Sequence, residues 1–324
     1  MPSEVELAEV FRLGVLSGDR VVVDRVGSRL AGPWLRVSRF REVRALIGQS
    51  LTVQTSAGTL VYGGRVEEAL GDLAAALRFY EQALPIMPEV DDRAGEAATL
   101  NNIGLVHERR GDGDQALRFY EQALPILREV GDRAGEATTL HNIGLAHARA
   151  GDGDGEQALR FYEQALPIRR EVGDRAGEAT TLNNIGAVHA RRGDAHQALR
   201  FYEQALPIRR EVGDRAGEAS TLSNIGLAHD LAGDGEQALR FYQQALPIVR
   251  EVGGRADEAT IRYNIAMIYR AAHRLADAVV ELEQVVALDA AVQHPDLAAD
   301  TQMLGQVRSE LASEASAPDG SEDV

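Results

Sequence analysis

Apolar residues recur along most of the chain at intervals of three and four, the spacing of one helix face, and short Gly- and Asp-containing stretches separate the runs. In "DRAGEATTLNNIGAVHARRG", Leu182, Ile185 and Val188 fall on such a face, with His189 beside them. Asp174 stands where an N-cap is needed, Glu178 lies in the first turn, where negative charge is favourable, and Gly193 supplies a stop. A second helical pattern begins at Asp194, carries Ala198, Tyr202 and Ala205, and ends at Gly213. The two patterns predict antiparallel helices joined by a short turn. One such hairpin cannot cover its own apolar face, and stacking neighbours does so.

The hairpin pattern repeats. The leucine of "ALRFY" occurs at Leu77, Leu117, Leu159, Leu199 and Leu239, in steps of 40, 42, 40 and 40, and a further 40 reaches Val279 in a weaker copy. Residues 158–179 and 198–219 are identical, which points to internal duplication. The expected units are 56–95, 96–135, 136–177, 178–217, 218–257 and 258–292. Residues 1–55 read as a helical cap at 3–16 followed by a divergent repeat over 19–52, with Gly32–Pro33 expected to interrupt its first helix. Residues 293–314 read as a capping helix and 315–324 as a disordered acidic tail. The fold class predicted is all-α, a right-handed α-solenoid of helix hairpins.

A proline sits inside the second helix of the unit. Phe161, Ala165, Ile168 and Val172 nevertheless lie at i, i+4, i+7 and i+11, so the helical phase passes through Pro167 without a shift. One long helix is expected, kinked near Pro167, where the bond to the Glu163 carbonyl is missing.

The motif "L-x-x-I-G-x-x-H … A-x-x-x-Y-x-x-A", seen at Leu100, Ile103, Gly104, His107, Ala116, Tyr120 and Ala123, resembles the tetratricopeptide repeat over roughly residues 56–292. Two departures stand out: the period is 40 rather than the family's 34, and His107, His147, His189 and His229 stand where the family has tyrosine. The longer period with "GDR-x-x-EA" linkers is similar to the repeats of kinesin light chain-like proteins, spindle-orientation adaptors and bacterial regulators. The resemblance implies that Asn102, Asn142, Asn184, Asn224 and Asn264 face a concave groove, where side-chain amides pair with the backbone of an extended peptide. The other reading is that duplication copied these residues, with a hydrogen bond to the adjacent helix. The same alignment puts Asn101, His141, Asn183, Ser223 and Tyr263, together with Leu105, Leu145, Ala187, Leu227 and Met267, along the groove. Arg109, Arg149 and Arg191 form either a wall for acidic groups or a solvated face among the chain's many acids.

Composition narrows the chemistry. The net charge is −16, which disfavours nucleic acid and anionic membrane as partners. All 34 basic residues are arginine, so Schiff-base and P-loop lysines are absent, and with no cysteine there is no thiol nucleophile or thiolate metal site. No apolar run is long enough to span a membrane, and a cytoplasmic location is expected. The histidine column is one repeat apart, on the order of 8–10 Å per helix step, too far to share one zinc ion. "GDGDGE" at 151–156 lacks most of a calcium loop, and no G-x-S-x-G occurs. No catalytic set, metal or cofactor is expected. The reading reached is a non-catalytic scaffold, monomeric by preference, binding a peptide or partner helix. The alternative, implied by the bacterial regulators, is a sensor module acting on a separate ATPase or protease.

Overall fold

The structure, a computed structural model, describes residues 3–53, 55–151 and 155–316. Among them the chain is helix and connecting turn, without strands. It divides into two compact units, Met1–Ile168 and Arg169–Val324, the division falling inside one helix. The first unit runs through α1 (Glu4–Ser17), α2 (Arg20–Arg36), α3 (Phe40–Val53), α4 (Ala57–Leu70), α5 (Leu73–Ala83), α6 (Ile86–Glu89), α7 (Arg93–Arg109), α8 (Gly113–Val130), α9 (Arg133–Ala150) and most of α10 (Glu156–Glu171). The second continues through α11 (Arg175–Arg191), α12 (Ala195–Glu211), α13 (Arg215–Leu231), α14 (Gly235–Val252), α15 (Arg255–Ala271), α16 (Leu275–Val292) and α17 (Leu297–Ser316). In each unit, helices adjacent in sequence pack as hairpins: α7 on α8, α11 on α12, α13 on α14 and α15 on α16. This is an all-α solenoid architecture.

Local chemistry sets the ends. The carboxylates of Asp132, Asp174 and Asp214 each accept the backbone N–H three residues on. Gly131, Gly193 and Gly213 take left-handed φ values of 72°, 79° and 71° beyond the helix ends. Ser3 and Glu6 close a capping box on α1. The α17 helix reaches Ser316, two residues past the expected cap, and the acidic tail beyond it lies outside the described residues.

The prolines behave in two ways. Helices α8, α10, α12 and α14 continue through Pro125, Pro167, Pro207 and Pro247. Pro167 and Glu163 are both exposed, so the carbonyl left without a partner meets water. The phase holds as far as Ile168; Val172 falls past the helix end and is 40% exposed. In the first repeat the helix does break, between α5 and α6. There Pro88 follows Pro85, and two carbonyls, those of Glu81 and Leu84, lose their donors within one turn. The expected interruption at Gly32–Pro33 is corrected: α2 runs through it, because Pro33 lies in the last turn and the freed Arg29 carbonyl is on the exposed side.

The core of a hairpin is a tyrosine ring laid on a glycine. Tyr120, Tyr162, Tyr202 and Tyr242 are at most 2% exposed. A Cβ on Gly104, Gly144, Gly186 or Gly226 would stand 2.5, 2.8, 2.6 or 2.8 Å from the ring of the corresponding tyrosine. The ring is held on all sides, so it cannot withdraw. Where the tyrosine is replaced by Leu282, the glycine is replaced by Ala266, and both remain fully buried. His107, His147, His189 and His229 stack flat on Phe119, Phe161, Phe201 and Phe241 of their own hairpins, at 5.4, 5.6, 5.5 and 5.4 Å between centroids. The histidine column is therefore packing.

The linker "RREVGDRAGEA" is an ion-pair joint. Glu178 has a side chain only 6% exposed; Arg170 Nε reaches it at 2.7 Å, and Arg175 pairs with it as well. Arg175 continues to Glu211 at 2.7 Å, at the far end of the next hairpin. Glu218 repeats the set with Arg210 at 2.8 Å, Arg215 at 2.5 Å, and Arg215 on to Glu251 at 2.8 Å.

Two stability measurements follow. Gly186→Ala should cost about 1–3 kcal/mol from the clash, less about 1 kcal/mol regained in helix propensity. Adding Tyr202→Leu should recover part of that loss, as the Ala266–Leu282 pair does naturally; denaturant midpoints of the full chain for the two singles and the double variant would show it. Glu218→Gln should lower stability by about 1–2 kcal/mol, since its two arginine partners are half-exposed and screened by water.

Candidate functional site

The first helices of successive hairpins lie side by side, α7 beside α9 in the first unit, and α11, α13 and α15 in the second. The asparagine column thus forms two short rows, Asn102 and Asn142 in one unit and Asn184, Asn224 and Asn264 in the other, all half-buried. Within a row the members differ. The amides of Asn102 and Asn142 make no hydrogen bond to any described residue. Asn224 Nδ2 donates to Asn183 Oδ1 at 3.2 Å, and the Thr221 hydroxyl lies 3.3 Å from the same oxygen. Asn184 also has a partner, and Asn264 lies near the buried hydroxyl of Tyr242, which finds no hydrogen-bond partner among the described residues.

The neighbouring position is a tie between repeats. Asn101 Nδ2 donates to Thr139 Oγ1 at 2.7 Å, and the threonine hydroxyl passes its own hydrogen to the Gly135 carbonyl at 2.9 Å. Asn183 plays the same part between α11 and α13. The adjacent-helix hydrogen bond weighed from the sequence for the Asn102 column is made by Asn224, to Asn183. Asn101 and Asn183 make one as well, with Thr139 and Thr221 of a buried threonine column, Thr99, Thr139, Thr181 and Thr221, that sequence reasoning missed. The period of 40 carried that signal.

His141, expected along the groove, sinks deeper than Asn101 and Asn183 of the same column. It is 7% exposed and packs against the Tyr162 ring at 5.2 Å. Tyr263 and Ser223 are half-buried on α15 and α13. A cavity of about 190 Å3 opens between those helices, lined by Ser220, Ser223, Asn224 and Thr260. Leu227 and Leu231, one turn apart on α13, are 39% and 58% exposed.

Two of the three arginines have partners in their own unit. Arg109 reaches Glu68 at 3.2 Å, and Arg149 pairs with Glu108, whose side chain is 4% exposed. Glu68 and Glu108 also accept from the hydroxyls of Tyr80 and Tyr120 at 3.1 Å. Burial first, and these carboxylates second, push both tyrosines far above the ordinary phenol value. Arg191 forms no ion pair among the described residues; its charge lies near Tyr202, which burial pushes up to about 12. Where the first unit has Glu108, the second has Asp230, whose next-repeat counterpart to Arg149 is Ala271. Burial holds Asp230 above the usual carboxylate range.

Among the described residues, no three His, Asp or Glu side chains converge as a metal set, and no helix is long and apolar enough to cross a membrane. Asp152 and Asp154 of the calcium-like stretch lie outside the described residues.

The family model of the tetratricopeptide repeat matches residues 95–171, 152–211, 177–251 and 217–291, together more than half of the chain. No curated protein matches the sequence. Among solved structures, BtubC (BKLC) from P. vanneervenii is similar at 23% identity and a TM-score of 0.56, over 73% of this chain and 93% of that one. A signal transduction ATPase with numerous domains and a tetratricopeptide repeat sensor, from Pyrococcus horikoshii, gives 13% identity and a TM-score of 0.68, over 95% of this chain and 50% of its own length. The apo quorum sensor NprR from B. thuringiensis gives 15% identity and a TM-score of 0.60, over 93% and 97%. At these identities the likeness is one of fold.

The arginines separate by experiment. Arg149→Ala leaves Glu108 buried without its cation and should cost about 1–2 kcal/mol, discounted for the exposure of the arginine. Arg191→Ala should move the denaturant midpoint by less than about 0.5 kcal/mol equivalent.

Proposed function

From the premise that the chain belongs to the tetratricopeptide repeat family, we propose that it is a non-catalytic interaction scaffold, holding an extended segment of a protein partner on the face formed by its first helices. The observation that carries this reading is the pair of half-buried amides at Asn102 and Asn142, whose donors and acceptors are unused by the described residues. A helix interior does not favour asparagine, and a half-buried amide is better satisfied by a partner than by partial contact with water. An amide presents both a donor and an acceptor, so it pairs with a peptide unit of any sequence. In the second unit the open cavity beside Asn224 offers a corresponding place for a side chain. The fold shared with a quorum sensor and a repeat sensor agrees with a binding role.

The expected outcome concerns the unit that holds both free amides. Peptides selected against the full chain from a random array should bind with an affinity measurable by fluorescence anisotropy. Asn102→Ala with Asn142→Ala should weaken the selected peptides on the order of tenfold, about one net hydrogen bond at each site, with the far-ultraviolet helix signal unchanged. An unaltered affinity would remove the asparagines from the binding role; an array without binders would remove peptide binding itself.

A further inference from the structure

At the end of the second unit the repeats stop, and the packing of α15, α16 and α17 leaves a cavity of about 330 Å3. Its acidic wall comes from Asp289 on α16, Asp296 in the turn that follows, and Asp300 on α17. Tyr263 and Thr260 of α15 form the opposite wall, and alanine and valine methyl groups complete it. Thr260 also lines the cavity beside Asn224, so the two openings share one residue of the first-helix face.

Asp289 is the unusual member. It is 1% exposed, and its Oδ2 finds no hydrogen-bond donor. A buried carboxylate left in that state is costly unless something supplies positive charge or a proton. At neutral pH the groups around it do not. The Asp300 carboxyl faces it, and burial first, then the hydrogen bond the two carboxyl groups share once Asp300 is protonated, push Asp300 up to about 6. Among the described residues the basic side chain beside the cluster is His294, but its Nδ1 accepts the Asp296 backbone N–H at 3.3 Å and lies 3.7 Å from the Asp296 carboxylate and 4.0 Å from Asp289. A nitrogen that accepts a hydrogen has none to give. Among the described residues no arginine pairs with Asp289, Asp296 or Asp300. The carboxyl groups do not converge as a metal set.

We propose that this cavity is a binding site for a guanidinium group, the arginine side chain of a peptide held on the first-helix face of the second unit. Facing carboxylates match the planar fork of guanidinium, which can donate to both at once. The Tyr263 ring offers a face on which that plane can stack, and guanidinium sheds water more readily than ammonium. The methyl-lined walls suit the methylene stem. The proposal rests on the scaffold reading for its peptide, but the pocket can be tested without one.

Nα-acetyl-arginine amide, titrated into the full chain and followed by amide chemical shifts, is the probe. It has no extended backbone for the asparagines to hold, so its binding reports the pocket alone. It should bind at the Asp289–Asp300 cluster and exceed its neutral isostere, the citrulline amide, on the order of tenfold. Lowering the pH through about 6 should weaken it, because a protonated Asp300 no longer carries the charge that draws the cation. Asp300→Asn should weaken it on the order of tenfold. Asp289→Asn gives the buried position a donor toward Asp300, so it should raise the melting temperature while weakening the probe. Equal binding of the arginine and citrulline amides would overturn the site. So would an Asp289→Asn protein that is less stable yet binds the probe unchanged. A lysine amide binding as tightly as the arginine amide would overturn the guanidinium assignment.

Discussion

A tyrosine ring resting on the bare Cα of a glycine is the contact on which each regular hairpin depends. It fixes how closely the two helices approach, because the ring fills the space a side chain on the first helix would take. The histidine–phenylalanine stack one turn along the same hairpin then falls at a nearly constant 5.4–5.6 Å. With these two adjoining contacts holding the hairpin, its first helix presents the same face to its neighbour within a unit. The threonine column that receives Asn101, and the one that reaches Asn183, depend on that constancy.

Charge does the joining that the apolar core leaves undone. The linkers at Glu136, Glu178 and Glu218 bring the carboxylate under cover and hold it with arginines from both sides of the turn. A lone buried carboxylate is costly, so the arginine of the preceding helix and that of the linker are locked in register. The use of arginine alone as the basic residue fits this demand, since its fork can serve two acids at once, as Arg175 does with Glu178 and Glu211. Among the described residues the second unit then offers two contrasts to this pairing: Arg191 without an acid, and Asp289 Oδ2 without a donor.

Much of this architecture was legible from periodicity. Caps at Asp174 and Asp194 and stops at Gly193 and Gly213 recur with the apolar phase, and each is a local requirement of a helix end. Continuity through Pro167 was legible because a helix that ended there would have no need to keep phase. The break near Pro85 came from one further proline, Pro88, whose effect depends on which carbonyls fall idle together. The depth of His141 was not legible, because alignment assigns a column to a face without saying how deeply a given ring sinks. The tyrosine–glycine partnership is written in the joint change to Ala266 and Leu282, but its meaning is steric and needed coordinates. The acidic pocket lies where repetition ends, so no column of like residues drew attention to Asp289 or Asp300.

The ion pairs of the linkers have a consequence for how such a chain can change. Arg175 meets Glu211, and Arg215 meets Glu251, each 36 residues on. With the same offset at successive joints, excising or inserting one whole period leaves every remaining joint with a full complement of partners. Nearest-neighbour coupling then treats the new length as it treated the old. The identical stretches 158–179 and 198–219 are also the kind of sequence at which unequal crossover aligns. Length is thus the property this molecule can alter with least disturbance, a whole period at a time.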